Sequence, residues 1–343
     1  MPNRDLVVIG ASAGGIEALQ QLCRELPADL NAAVMVVMHT SSHTGGLLPK
    51  VLGRAGPLPA GHPENGEVIE RGRIYVAPPD MHMIVEDGRV RTVRGPRENR
   101  HRPAIDPTFR SAAVAHGRRV IGVVLTGMLD DGTAGLMVVR AHGGEAIVQN
   151  PQTAMFPSMP QNALDRVRGA HVAELAEIPS LLAKLVSEPL QEATSPMASR
   201  DTPAMKEIRL AELDMSEVEN ELRNGKPSPF ACPECGGVLW EIDQSGLPRF
   251  RCRVGHAYTA QHLGAEQRLA VETALWSALR ALEESASLYR RMAERARKGG
   301  QDQSVRVFEE QASNTEQNSE TLRNFLLTVS PAEGEMQEAV ELV

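Results

Sequence analysis

Aromatic side chains make up only 3% of this 343-residue chain. That excludes the stacking platform of a single-strand nucleic-acid binder and the aromatic belt of a membrane protein. Positive charge is also short, 36 Lys and Arg against 44 Asp and Glu for a net −8, which argues against a nucleic-acid partner. The longest apolar run, residues 32–38, falls far below the roughly 20 residues that a membrane-spanning helix needs. No apolar segment with a small-residue cleavage site opens the chain. A cytoplasmic protein without membrane insertion is expected. Cysteine is scarce too. Of Cys23, Cys232, Cys235 and Cys252, the last three fall within 21 residues, a clustering that in a reducing compartment points to metal before disulfide.

What is present is enough for packed cores: 42% hydrophobic and 23% charged residues. Short β-rich runs at residues 6–9, 33–38, 73–76 and 120–125 alternate with helical patterns such as 15–25 and 134–141. That alternation predicts an α/β fold, a doubly wound, mainly parallel sheet with helices on both faces. Residues 83–85 and 90–93 flank a turn containing Asp87-Gly88 and predict a hairpin inside it. An apolar-periodic helix at 178–185 closes the domain.

Residues 10–14, Gly-Ala-Ser-Ala-Gly, follow a strand and open a helix, as a Gly-x-Ser-x-Gly elbow does. Its small neighbours allow a tight turn that exposes the Ser12 hydroxyl, with amides and the helix dipole near a developing oxyanion. The same letters resemble the phosphate-binding turn of a dinucleotide fold. That fold wants an acid about 20 residues further on, whereas the second strand ends in His39 with no acid near it. A nucleophile with a base is favoured, because parallel strands place their C-terminal ends on one edge. The strand at 120–125 leads into Thr126-Gly127-Met128-Leu129-Asp130-Asp131-Gly132 and brings a carboxylate to that edge. A serine between glycines is also an ordinary turn residue, a strand-end histidine an ordinary structural one, and Asp130 or Asp131 an ordinary helix cap. It is the convergence of all three that speaks for catalysis.

These blocks, with Asn99-Arg100-His101-Arg102-Pro103-Ala104-Ile105-Asp106 and Gln149-Asn150…Met159-Pro160, resemble the catalytic domain of the chemotaxis protein-glutamate methylesterases, the CheB family, over roughly residues 4–186. The resemblance implies hydrolysis of glutamate γ-methyl esters on chemoreceptors with release of methanol, often with deamidation of receptor glutamines, and no cofactor for catalysis. It implies Ser12 as nucleophile, His39 as general base and Asp131, in preference to Asp130, as the orienting carboxylate. Met128 is the expected oxyanion donor, and Arg100 and Arg102 lie where they would meet an acidic receptor helix. Ala13 stands where the family commonly has threonine. The family usually begins with a receiver domain, and a catalytic strand starting near Leu6 leaves no room for one, so control is expected from the C-terminal part.

There, Cys232, Cys235, Cys252 and His256 form C-x₂-C-x₁₆-C-x₃-H, four suitable ligands for a structural zinc in a ribbon-like module. Further on, Leu275, Leu279, Leu282, Ala286, Tyr289, Ala293 and Ala296 follow a strict 4-3 spacing, and Lys298-Gly299-Gly300 is a helix stop. A second helix returns with Val305, Phe308, Ala312, Leu322 and Phe325 on one face, giving a helical hairpin fit for a homodimer or a partner helix. The chain divides on this reading into a catalytic domain (1–187), a linker (188–203), an acidic helix with a zinc-ribbon-like module (204–259), a helical hairpin (260–330) and a flexible tail (331–343). A competing expectation is a non-catalytic scaffold of a sensory complex that acts through its C-terminal modules.

Overall fold

The computed structural model describes residues 3–39, 46–190, 203–212, 225–244 and 247–329. The expected linker, the second half of the acidic helix and the tail fall mostly outside them.

Seven parallel strands form the central sheet. They are β1 (Leu6–Ala11), β2 (Ala33–Met38), β3 (Ala60–Gly61), β5 (Ile74–Val76), β8 (Val120–Val124), β9 (Glu145–Gln149) and β10 (His171–Ala173). Their order is β10-β9-β8-β1-β2-β5-β3, so β1 lies in the middle with β8 and β2 as its neighbours. In register, Gly10 pairs with Val37 on one side and Val124 on the other. All six residues of β1 and of β2 are buried, as expected of strands covered on both faces.

Alternation decides which helix each residue meets. Val7, Ile9 and Ala11 face a core built with α1 (Gly15–Glu25), α2 (Leu48–Ala55) and α6 (Ile178–Ser187). Leu6 and Val8 face a second core with α3 (Ile105–His116), α4 (Thr133–Ala141) and α5 (Ser158–Arg166). This is the doubly wound sheet that the alternating pattern predicts. The expected hairpin is β6 (His82–Glu86) with β7 (Arg89–Val93), extended by β4 (Glu67–Val68) into a separate three-stranded sheet. Asp87 and Gly88 at its tip both have positive φ, 47° and 72°, as a two-residue turn of matching twist requires.

Helix α7 (Pro203–Ala211) packs Ile208 and Ala211 against Ile84 of the hairpin. The C-terminal ribbon is a four-stranded antiparallel sheet, β11 (Lys226–Ala231), β12 (Val238–Gln244), β13 (Leu247–Cys252) and β14 (Ala257–Thr259). It has its own small core of Cys232, Leu239, Phe250, Cys252, Tyr258 and Leu263. The first compact unit of the chain takes in the sheet domain and this ribbon and ends at Leu263; the second begins at Gly264.

The second unit is an antiparallel pair made of α8 (Ala260–Lys298) from Gly264 onward, its first turn belonging to the first unit, and α9 (Asp302–Val329). Ion pairs Arg297–Glu309, Arg290–Glu316 and Arg323–Glu283 set its register. On α8 the 4-3 positions Leu279, Ala286, Ala293 and Ala296 are buried as expected. On α9 one position differs. Phe325 is 51% exposed and Leu326 turns inward at 5%. The buried row runs Val305, Ala312, Ser319, Leu326 at a strict seven-residue step, and the polar Ser319 in the middle hides it from an apolar count. No described helix is long and apolar enough to cross a membrane.

Candidate active site

Three strand ends meet at one edge. Ser12 directly follows β1, His39 follows β2, and Asp131 closes the loop between β8 and α4. The turn after β1 is tight because Gly14 takes φ 69° before α1 begins. The β8 loop runs so close that a Cβ on Gly127 would sit 2.9 Å from the Ser12 Cβ and 2.6 Å from Met159. Only glycine lets that loop lie against the serine.

His39 is 2% exposed. Its Nδ1 lies 3.0 Å from Ser12 Oγ and its Nε2 2.8 Å from Asp131 Oδ2. The fully buried Asp131 also accepts the Ile105 N–H at 2.7 Å. Burial alone would raise the Asp131 carboxyl; the hydrogen bond and charge of His39, with the Ile105 amide, outweigh it and hold Asp131 well below the usual carboxylate range. An ionised Asp131 keeps the proton on Nε2, which leaves Nδ1 as the acceptor for the serine O–H. A second imidazole, His101, stacks on His39 with ring centroids 3.5 Å apart and planes 5° apart. Burial, then the neighbouring His39 and His262, push His101 well below the ordinary imidazole range. A neutral ring there fixes the plane of His39 and adds no charge beside it.

Comparison with known proteins identifies the domain that carries these residues. Residues 7–182 match the model of the CheB methylesterase family. The chain belongs to that family. A putative protein-glutamate methylesterase/protein-glutamine glutaminase of Leptospira interrogans is 33% identical over 191 residues, covering 55% of this chain and 99% of that protein. The protein-glutamate methylesterase/protein-glutamine glutaminase of Pyrococcus horikoshii is 34% identical over 190 residues, 54% of this chain, and the match spans about half, 52%, of that longer relative. Among solved structures, the CheB methylesterase catalytic domain of Thermotoga maritima matches with TM-score 0.52 and 31% identity, covering 54% of this chain and all of that one.

Beyond the CheB domain proper, the residues around the triad are held from several sides. Asn99, fully buried, donates from Nδ2 to Asp131 Oδ1 at 3.1 Å. Asp130 is engaged separately: its Oδ1 accepts from Thr259 Oγ1 at 2.8 Å and from His262 Nδ1 at 2.7 Å. The structure thus gives the two adjacent carboxylates different partners, and only Asp131 meets His39. Gly127 spends its N–H on the Phe156 carbonyl and Ser12 its own on Thr126, while Met128 is half-buried next along the loop.

The arginines divide. Arg102 turns to Asp80 at 2.6 Å and to the Gly95 carbonyl, so its charge braces the 95–104 loop. Arg100 is exposed on that loop with φ 70°. Asn99 and the His262–Asp130 pair went unrecognised as parts of the site, and His101 was expected beside it as a steering charge rather than stacked on His39. The block 99–106 carried a signal for Asn99 and His101, whereas nothing local in sequence ties residue 262 to residue 130.

In the ribbon, the ligand atoms of Cys232, Cys235, Cys252 and His256 all lie within 4.8 Å of one another. Cys235 and Cys252 sulfurs are 3.6 Å apart, and the His256 Nδ1 is 3.6 Å from both Cys232 and Cys252. Tetrahedral zinc with bonds of about 2.3 Å sets its ligands about 3.8 Å apart, so these donors fit such an ion. Hydrogen bonding from Cys252 and His256 also favours thiolate at Cys232, drawn down to about 3.

Proposed function

We propose that this chain is a serine esterase that removes γ-methyl esters from glutamate side chains of a chemoreceptor or receptor-like protein, releasing methanol. The observation that carries the reading is the continuous line from Ser12 Oγ through His39 to Asp131, at 3.0 and 2.8 Å. His39 Nδ1 takes the Ser12 proton as Oγ attacks the ester carbonyl, and the imidazolium is balanced by Asp131. The Met128 amide faces the tetrahedral oxyanion. His39 returns its proton to the departing methoxide, and water, activated by the same imidazole, clears the acyl-enzyme to leave a glutamate. Ammonia would leave in place of methanol from a glutamine side chain. Arg100 lends positive charge at this edge for an acidic receptor helix.

The full-length chain is expected to release methanol from methyl-esterified chemoreceptor, and a fluorophosphonate to block that release by labelling Ser12, read by peptide mass. Labelling of Ser12 without methanol release would assign the site to another ester. Absence of both would sink the reading.

No step of this chemistry requires a cofactor. The Cys232, Cys235, Cys252 and His256 cluster is assigned a structural zinc. With four protein ligands the ion has no open position, so it staples β13 to the β11–β12 turn and stays out of the hydrolysis. Elemental analysis is expected to give one zinc per chain, and none in Cys235→Ser. An equal metal content in both would remove these residues as its ligands.

A further inference from the structure

We propose that Asn99 is a positioning residue for the catalytic carboxylate, and that the ribbon decides which way its side chain points, so that β14 and the first turn of α8 complete the esterase site. This rests on the serine-esterase reading and extends it to residues outside the family's catalytic domain.

An asparagine amide has a donor end and an acceptor end, and nothing in the residue itself chooses between two orientations related by a flip. Here the choice is made by β14. The Thr259 N–H donates to Asn99 Oδ1 at 2.9 Å, and the Asn99 N–H donates to the Ala257 carbonyl at 2.8 Å. With Oδ1 thus fixed, Nδ2 must face Asp131 Oδ1. The other carboxylate oxygen already serves His39 and Ile105. Three donors therefore pin both oxygens and stop rotation about the Asp131 Cβ–Cγ bond. A flipped amide would set oxygen against oxygen and push Asp131 away from His39.

The same segment grips the loop at two further points. Thr259 Oγ1 and His262 Nδ1 both donate to Asp130, one residue before Asp131. Gln261 Nε2 donates to Asn162 Oδ1 at 2.8 Å, and Asn162 Nδ2 in turn donates to the Leu129 carbonyl at 2.8 Å. Leu129 has φ 61° and Asn99 φ 50°, left-handed conformations that cost energy in a non-glycine residue and persist only where the surroundings hold them. Residues 257–262 supply that hold.

The test is Asn99→Asp in the full chain. The new carboxylate keeps an acceptor for Thr259 but presents oxygen to Asp131, and two ionised carboxylates at hydrogen-bond distance repel each other. Protonated, the introduced group donates as the amide did; ionised, it repels. The charged and titratable groups around this contact are His39, His82 and His101, Asp106 on α3, Glu98, and Asp130 with His262. The comparison is therefore made as the ratio to wild type at each pH.

At pH 8.5 kcat should fall about 100-fold with KM within about twofold, a loss on the scale of removing a group that orients a catalytic ligand. The deficit should shrink to below about tenfold at pH 6. Asn99→Ala should lose about 10–100-fold at either pH. The rate of Ser12 phosphonylation by a fluorophosphonate, which needs no receptor, should follow kcat in each case. Labelling of wild-type Ser12 tests the esterase reading by itself, and the variant ratios test this inference.

His262→Ala, which removes a donor to Asp130 and leaves Asn99 in place, keeps the proposal falsifiable if the Asn99 variants do not fold. It should slow both rates about tenfold. A deficit in Asn99→Asp that does not change with pH, or a His262→Ala chain as fast as wild type, would overturn the proposal.

Discussion

Asp131→Asn is expected to slow ester turnover about 10⁴-fold, as loss of the orienting carboxylate does in serine hydrolases, with the folded structure retained. Every group around Asp131 is a donor: His39 Nε2–H and Ile105 N–H at one oxygen, Asn99 Nδ2–H at the other. An asparagine must set its own NH₂ against one of them. Set against His39, it drives the imidazole proton from Nε2 to Nδ1, and Nδ1 can then no longer accept from Ser12. Set against Asn99, it breaks the hold on the side chain. In both cases the imidazolium formed during attack loses its counter-charge in a buried site. Single-turnover methanol release, with circular dichroism as the folding control, measures this. Activity within tenfold of wild type would remove Asp131 from the triad.

The second large effect is on stability. Glu98→Ala should lower the unfolding free energy by about 3–5 kcal/mol, the range for stranding one side of a buried ion pair. Glu98 accepts from Arg110 Nη2 at 2.7 and 2.8 Å and from Arg249 Nη2 at 2.9 Å. Arg249 and Arg251 both also reach Glu207, at 3.1 and 2.8 Å. These five side chains are all at most 3% exposed. They come from α3, the 95–104 loop, α7 and β13. Burial would raise the Glu98 carboxyl, but Arg110 and Arg249 outweigh it and keep it ionised. Removing Glu98 leaves guanidinium groups out of water with less opposing charge. Urea unfolding of the full chain reads the loss, and a change under about 1 kcal/mol would mean that water reaches the network.

The meeting of Ser12, His39 and Asp131 at one sheet edge was legible because its signals are local. Ser12 sits in a turn whose glycines are next to it in sequence, and His39 and Asp131 follow apolar runs whose ends parallel packing brings together. The ribbon's cluster of three cysteines and a histidine was legible for the same reason, through short spacings. The brace between ribbon and sheet was not. Glu98 and Arg249 are 151 residues apart, and each alone reads as a surface charge. Asn99 illustrates a related blindness, since its value lies in meeting β14 and the loop between β8 and α4 at once. Phe325 shows the opposite error: an apolar residue beside the inward row was taken for a member of it, because Ser319 broke the row's apolar character.

The docking of β13 and β14 on the sheet domain has an evolutionary side. Modules that hang on a linker can be exchanged between proteins as units, because each carries its own closed surface. This ribbon cannot. A gene that lost it would expose Arg110 and Glu98, strip Asn99 of its β14 partners, and keep a hydrolase whose buried charges face water. Its removal would need simultaneous replacement of several residues in the sheet domain. Substitutions on the two sides of this contact are therefore expected to be coupled.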